Sequence, residues 1–125
     1  MGKQYDKQHA VTAIAAADLV ANRFISYGGA YAVGTAGAGG LTDAAGVSEY
    51  GAKTGEAFSV VTGYSYLVEA GEAITLGAFV KPGTDGKAAV GSITDHCARA
   101  LEAASESGQL IEVRLLPHVH PTSGG

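Results

Sequence analysis

Residues 45–60, AGVSEYGAKTGEAFSV, lie without a gap on residues 98–113, ARALEAASESGQLIEV, at a shift of 53. Glu49 falls on Glu102, Gly55 on Gly108, Glu56 on Gln109, Phe58 on Ile111 and Val60 on Val113. Upstream of each copy a second pattern recurs. Leu19-x-x-Asn22-x-Phe24-Ile25, followed by Gly28-Gly29 and Ala32-Val33, matches Ile74-x-x-Gly77-x-Phe79-Val80, followed by Asp85-Gly86 and Ala89-Val90. What repeats is turn glycine and apolar alternation, with no set of reactive side chains. A period of this kind sets the architecture before any local reading does. It predicts an all-β chain, a barrel or a sandwich made of two pseudo-repeated halves over about 17–68 and 71–116.

Local signals agree. Phe24–Ser26 and Tyr31–Val33 flank Gly28-Gly29, whose freedom at positive φ suits a tight turn. Val47–Ala52 and Ala57–Gly63 flank Lys53-Thr54-Gly55-Glu56, which reads as a hairpin. Tyr64, Tyr66 and Val68 alternate onto one face. Asp85-Gly86 between Ala78–Lys81 and Lys87–Val90 is the clearest hairpin signal. In Leu110–Leu116 the apolar Ile111, Val113 and Leu115 alternate with Glu112 and Arg114. Val11–Ala17 fits a strand or an alanine-rich helical turn. Ser92–Ser107 is two-sided. Ser92 and Asp95 suit a helix start, and Ile93, Cys97, Ala100, Leu101 and Ala104 form a stripe, yet the matching Gly46–Gly55 is a poor helix. The reading is a strand over Arg99–Ala103 with a short helix over Ile93–Ala98. Residues 1–10 form a polar, extended N-terminal arm, 11–116 one β-rich domain, and 117–125 a flexible tail.

At 125 residues one domain is expected. Aromatics are 7%, tryptophan is absent and glycine is 19 residues, so the core is thin. The net charge is −4 with no basic stripe, which argues against direct nucleic-acid binding. No stretch approaches the ~20 apolar residues of a membrane span. The Ala10–Ala17 run is too weak for a signal-peptide core, and Asp6 stands where a myristoylation signal wants Ser or Thr. The lone Cys97 reads as a small buried hydrophobe of a protein made in a reducing compartment.

Reactive constellations are weak. Gly34–Gly40, GTAGAGG, lacks the Lys-Ser/Thr pair of a phosphate loop. Asp95-His96-Cys97 sets acid, base and thiol side by side, where neighbours point apart. His118-x-His120 offers two metal ligands, too few for a structural zinc site. Glu49, Glu56, Glu69, Glu72, Glu102, Glu106 and Glu112 have no aromatic lining to hold a sugar. No catalytic residue, metal ligand or cofactor site is assigned. Tyr27, Tyr31, Tyr64 and Tyr66 are subunit-interface candidates, since tyrosine joins rigid area to a polar tip, and ordinary strand packing explains them equally well.

Asn22-Arg23-Phe24-Ile25, Gly46-Val47 with Gly55-Glu56, Val68-Glu69-Ala70-Gly71-Glu72-Ala73-Ile74, Gly77-Ala78-Phe79-Val80 and Ala98–Leu116 together resemble the small capsid decoration (cement, or head-stabilising) proteins of tailed bacteriophages. The resemblance covers about Val11–Leu116. The GTAGAGG insertion and the HVHPTSGG tail depart from it. It implies a virion structural protein without enzymatic activity, made in the host cytoplasm. Such a protein binds the major capsid protein on the outside of the head, as a homotrimer at local three-fold positions. Within that reading Lys3, Tyr5 and Lys7 of the arm are the expected capsid contacts, offering charge and an aromatic anchor. The competing reading is a tail, baseplate or receptor/glycan-binding accessory module.

Overall fold

The computed structural model describes residues 10–32 and 40–119. Nine strands occur among them: β1 Ala10–Ile14, β2 Phe24–Ser26, β3 Ala44–Ser48, β4 Ala57–Val61, β5 Ser65–Glu69, β6 Phe79–Pro82, β7 Ala88–Val90, β8 His96–Ala100 and β9 Leu110–Val119. They form two sheets with antiparallel ladders, β1-β4-β3-β2 and β5-β9-β8-β6-β7. The only helical pieces described are 3₁₀ turns at Gly40–Thr42 and Thr84–Gly86. The fold is all-β and is a sandwich, not a closed barrel.

The two sheets are built on one plan. Exchanging β1, β4, β3 and β2 for β5, β9, β8 and β6 turns the first strand order into the second. The hydrogen bonds outside the ladders match as well. Leu19 and Ala52 exchange N–H···O bonds of 2.8 and 3.0 Å, and Ile74 and Ala104 do the same at 2.9 and 2.8 Å. Ser48 N–H donates to Arg23 O at 2.9 Å, as Ala100 N–H does to Ala78 O. Gly55 and Gly108, at φ 89 and 94, donate to Ala15 O and Ala70 O, both at 2.8 Å. Glu56 Oε1 accepts from Lys53 N–H at 2.8 Å and Gln109 Oε1 from Ser105 N–H at 2.6 Å.

The correspondence corrects the gapless alignment at one place. Lys53 and Glu56 are three apart, whereas their counterparts Ser105 and Gln109 are four apart. The second copy has one extra turn residue. β3 therefore matches β8 at a shift of 52, and Glu49, whose N–H bonds Ser59 O, matches Leu101, whose N–H bonds Glu112 O, not Glu102. The matching strands begin at β1 and at β5, earlier than residues 17 and 71.

Each half encloses matching apolar residues. Ala15, Leu19, Ile25, Ala52, Phe58 and Val60 form the first cluster. Their counterparts Ala70, Ile74, Val80, Ala104, Ile111 and Val113 lie in the second, which also takes in Phe24, Ala32, Val47 and Val61 from the first half. Those four make the apolar seam between the halves.

Several local expectations differ from the structure: the strand expected over Arg99–Ala103 ends at Ala100, and Tyr31 makes an isolated bridge to Ile25 in place of a strand. No helix covers Ile93–Ala98; β8 starts at His96, and Ser92–Asp95 is a turn closed by a mutual backbone pair. Strand pairing with β6 and β9 outweighs the local capping pattern there. The Lys53–Glu56 turn forms, with Glu56 N–H on Lys53 O at 2.9 Å between the paired β3 and β4, but the strand expected over Val47–Ala52 is cut short: β3 ends at Ser48, and the chain swings out to pair Ala52 with Leu19 before the turn. β9 does not stop at Leu116; it runs through Pro117 to Val119, with His96 opposite Val119. The Asp85-Gly86 hairpin forms as expected, both residues at positive φ (55 and 73). The GTAGAGG loop, apart from Gly40, lies outside the described residues, as do the arm up to His9 and the tail from His120.

The halves predict an asymmetric cost for one substitution. Phe24 is buried in the seam, while its counterpart Phe79 is half-buried under His96 and Arg99. Phe24→Ala is expected to cost about 3–5 kcal/mol and Phe79→Ala well under half of that, read from urea denaturation midpoints. Equal losses would contradict the seam.

Candidate functional site

The seam is also clasped by polar groups. Asn22 sits at φ 64, in the left-handed region that asparagine tolerates better than most residues. The turn points its backbone and side chain at β5 together. Asn22 O accepts from Glu69 N–H at 2.9 Å, and Asn22 Nδ2 donates to Leu67 O at 2.9 Å. Next to it, Arg23 Nη2 meets Glu69 Oε1 at 3.0 Å and Nη1 donates to Asp85 O at 3.1 Å. Lys87 Nζ lies 3.7 Å from the other Glu69 oxygen. The first half thus covers the outer edge of β5. Sequence reasoning missed this clasp, although its signal was present: asparagine aligned with glycine at a repeat position points to a left-handed residue with an amide to use.

The remaining sheet edges are managed unequally. The edge of β2 is taken by Tyr31 and Ala32, the latter donating to Phe24 O at 3.0 Å. The edge of β7 is taken by Gly71 N–H on Ala88 O at 2.7 Å and by Glu72 Oε2, which accepts from Val90 N–H at 2.7 Å. β1 differs. Among the described residues, its engagement beyond β4 is at the C-terminal end, where Ala16 N–H donates to Gly29 O at 3.0 Å. β1 carries no charge, and Val11 and Ile14 are 52% and 60% exposed.

Beside β1 opens a cavity of about 920 Å³ between the first sheet and the end of β9. Asp43, Cys97, His118 and Tyr27 are the ionisable residues in its wall. His118 Nδ1 accepts from Ala44 N–H at 2.7 Å, so the end of β9 is pinned to the start of β3. Cys97 is buried, and desolvation followed by the nearby Asp95 charge pushes its thiol pKa well up. Asp95 is drawn to Lys81 (3.4 Å) and His96 to Ser92 O (3.0 Å), so the Asp95-His96-Cys97 run does not converge.

The four tyrosine candidates separate. Tyr66 is 8% exposed and belongs to the core. Tyr31 packs on the first cluster, its hydroxyl accepting from Val20 N–H at 3.1 Å. Tyr27, at the cavity rim, and Tyr64, with the Arg114 guanidinium 5.1 Å above its ring, present aromatic surface to solvent. Lys3, Tyr5 and Lys7 lie outside the described residues. No cluster of three potential metal ligands occurs among the described residues.

Comparison with known proteins gives two findings. A family model described as "Phage cement protein" matches residues 4–115. The chain is similar in structure to the head fibre gp8.5 N base of bacteriophage phi29, with a TM-score of 0.70, 21% identity, and coverage of 89% of this chain and 96% of that one. No curated protein matches.

Two outcomes follow from the clasp and the buried thiol. Arg23→Ala leaves Glu69 with Lys87 alone and should lower stability by about 1–3 kcal/mol, read from urea midpoints. Cys97 should resist iodoacetamide at pH 8 in the folded protein and react in urea, read by mass spectrometry; its raised folded pKa also means that stability falls as pH climbs past the unfolded thiol pKa. Full labelling of the native chain would place the thiol at the surface.

Proposed function

This chain belongs to the phage cement protein family, a capsid-associated structural family, and from that premise we propose that it binds the outer surface of an expanded phage head and braces the lattice of the major capsid protein, as a homotrimer at local three-fold positions. The observation that carries the reading is the family match over residues 4–115. The architecture supports it. Two copies of one strand plan give a sandwich whose sheet edges and loops are available to neighbours. A shell-bracing protein needs many weak, repeated contacts, because avidity multiplies them. The buried, desolvated thiol and the dispersed acid, base and thiol of residues 95–97 suit a structural role better than a hydrolytic one.

The proposed capsid contacts are Lys3, Tyr5 and Lys7, with the exposed Tyr27 as a second aromatic anchor nearer the body. The protein is made in the host cytoplasm and carried on the outside of the virion in this reading.

Purified protein should co-sediment with expanded heads and saturate at a fixed number of copies per shell. Removing residues 1–9 should weaken binding by at least about tenfold, the loss of ~1.4 kcal/mol or more. Heads that bind nothing at saturating protein would end the proposal; full binding by the shortened chain would end the role of the arm.

A further inference from the structure

Among the described residues, the pseudo-repeat leaves one edge without its counterpart contact. On β5 the residues that turn their backbone outward are Leu67 and Glu69, and Asn22 of the first half binds both. Alternation along an antiparallel strand and the match of β1 to β5 make Thr12 and Ile14 the corresponding residues. Asn22 itself corresponds to Gly77: both have positive φ, and Gly77 N–H bonds Ala100 O as Asn22 N–H bonds Ser48 O. Within one chain the first half reaches the second. Nothing described makes the return contact from Gly77 to β1.

We propose that the Leu76–Ala78 segment of one copy docks on the outer edge of β1 in a second copy, repeating between molecules the joint that Asn22 makes within one. Leu76 is 63% exposed, a side chain added at Gly77 would touch nothing within 4 Å, and Thr12 and Ile14 are exposed, with Gly29 packed against the Ile14 carbonyl at the end of the strand. β1 is uncharged, so copies of an acidic chain can approach there without meeting like charges. Gly77 has no amide side chain to donate. Arg99 fills that role; its Nε and Nη2 already lie 3.1 and 2.9 Å from Gly77 O, beside the place where the β1 carbonyls would arrive. The contact is weaker than the internal seam by construction. Where the first half offers Phe24, Val47 and Val61, the second offers half-buried Phe79 and the exposed Arg99 and Arg114. The free protein stays soluble and associates reversibly. A contact between two different surfaces closes into a ring when its rotation allows. The inference deepens the shell-bracing reading by naming how copies join, and its test uses no shells, so each can fail alone.

Sedimentation equilibrium of the full chain should show masses rising with concentration in multiples of 12.5 kDa. Thr12→Pro removes an outward N–H that the fold does not use, and Ile14→Lys charges the same edge; either should raise the dissociation constant at least about tenfold with an unchanged circular dichroism spectrum. Leu76→Asp should do the same from the other surface. The decisive sample is Thr12→Pro mixed with Leu76→Asp. Each retains the surface the other lacks, so the mixture should form two-chain species and stop there. A wild-type chain that stays at 12.5 kDa up to ~1 mM, variants that associate like wild type, or a mixture that restores nothing would each overturn the proposal.

Discussion

The left-handed turn at Asn22 is the constraint on which the arrangement of the two halves rests. At φ 64 one residue sends its carbonyl and its amide to the same strand edge, and the next residue, Arg23, reaches Glu69 on that strand. A right-handed residue there would aim the carbonyl elsewhere and unseat the guanidinium. The clasp is not the main source of stability. A partly buried ion pair roughly offsets its own desolvation, and Phe24, Val47 and Val61 bury the apolar area that holds the halves together. What the clasp supplies is register. It makes a wrong sliding of sheet on sheet leave Glu69 and the outer backbone groups of β5 unsatisfied.

The contrast between the halves shows how one backbone plan can carry two surfaces. Phe24 and Phe79 occupy matching places, as do Val47 and Arg99, and Val61 and Arg114. In the first half these positions are apolar and vanish into the seam. In the second they are aromatic and basic, with the Arg99 guanidinium 4.5 Å from the Phe79 ring and Arg114 above Tyr64. Stacked guanidinium groups cover aromatic surface while staying wet. A face treated this way is soluble when bare and still adhesive when a partner displaces the water. The cavity beside β1 borders the same seam: Phe24 lines it together with Cys97, Leu115 and His118 of the second half.

Much of the fold was legible in the sequence because its signals are local. Asp85-Gly86 declares a hairpin on its own, and Ile111, Val113 and Leu115 declare β9. The repeat was legible because glycine is irreplaceable where Gly55 and Gly108 stand at φ near 90. What was not legible depends on pairing between distant residues. Ser92–Ser107 looks helical until β6 and β9 pair on either side of β8. Pro117 looks like a terminator, but β9 has passed beyond its β5 partner by then, so one missing N–H is affordable. The tyrosines could not be ranked because alternation gives a face without saying which face is inside. Tyr66 opposes Val113 and is buried, while Tyr64, two residues earlier, falls beyond the ladder.

The state of the sheet edges is invisible to any local reading, since an edge is defined by strand order, yet it decides where another chain can pair. An uncapped, uncharged edge is ordinarily an invitation to aggregate. Here it is five residues long, its C-terminal end is occupied through Ala16 and Gly29, and the other sheet edges are covered by Asn22, Tyr31–Ala32 and Gly71–Glu72. Indiscriminate strand stacking needs two open edges per molecule to propagate. With only one described, edge-to-edge pairing ends at two copies, whereas a loop such as Leu76–Ala78 meeting that edge can continue from copy to copy. In the proposed docking, the covering of the other edges therefore does more than protect the fold: it leaves β1 as the described edge on which a second copy can seat.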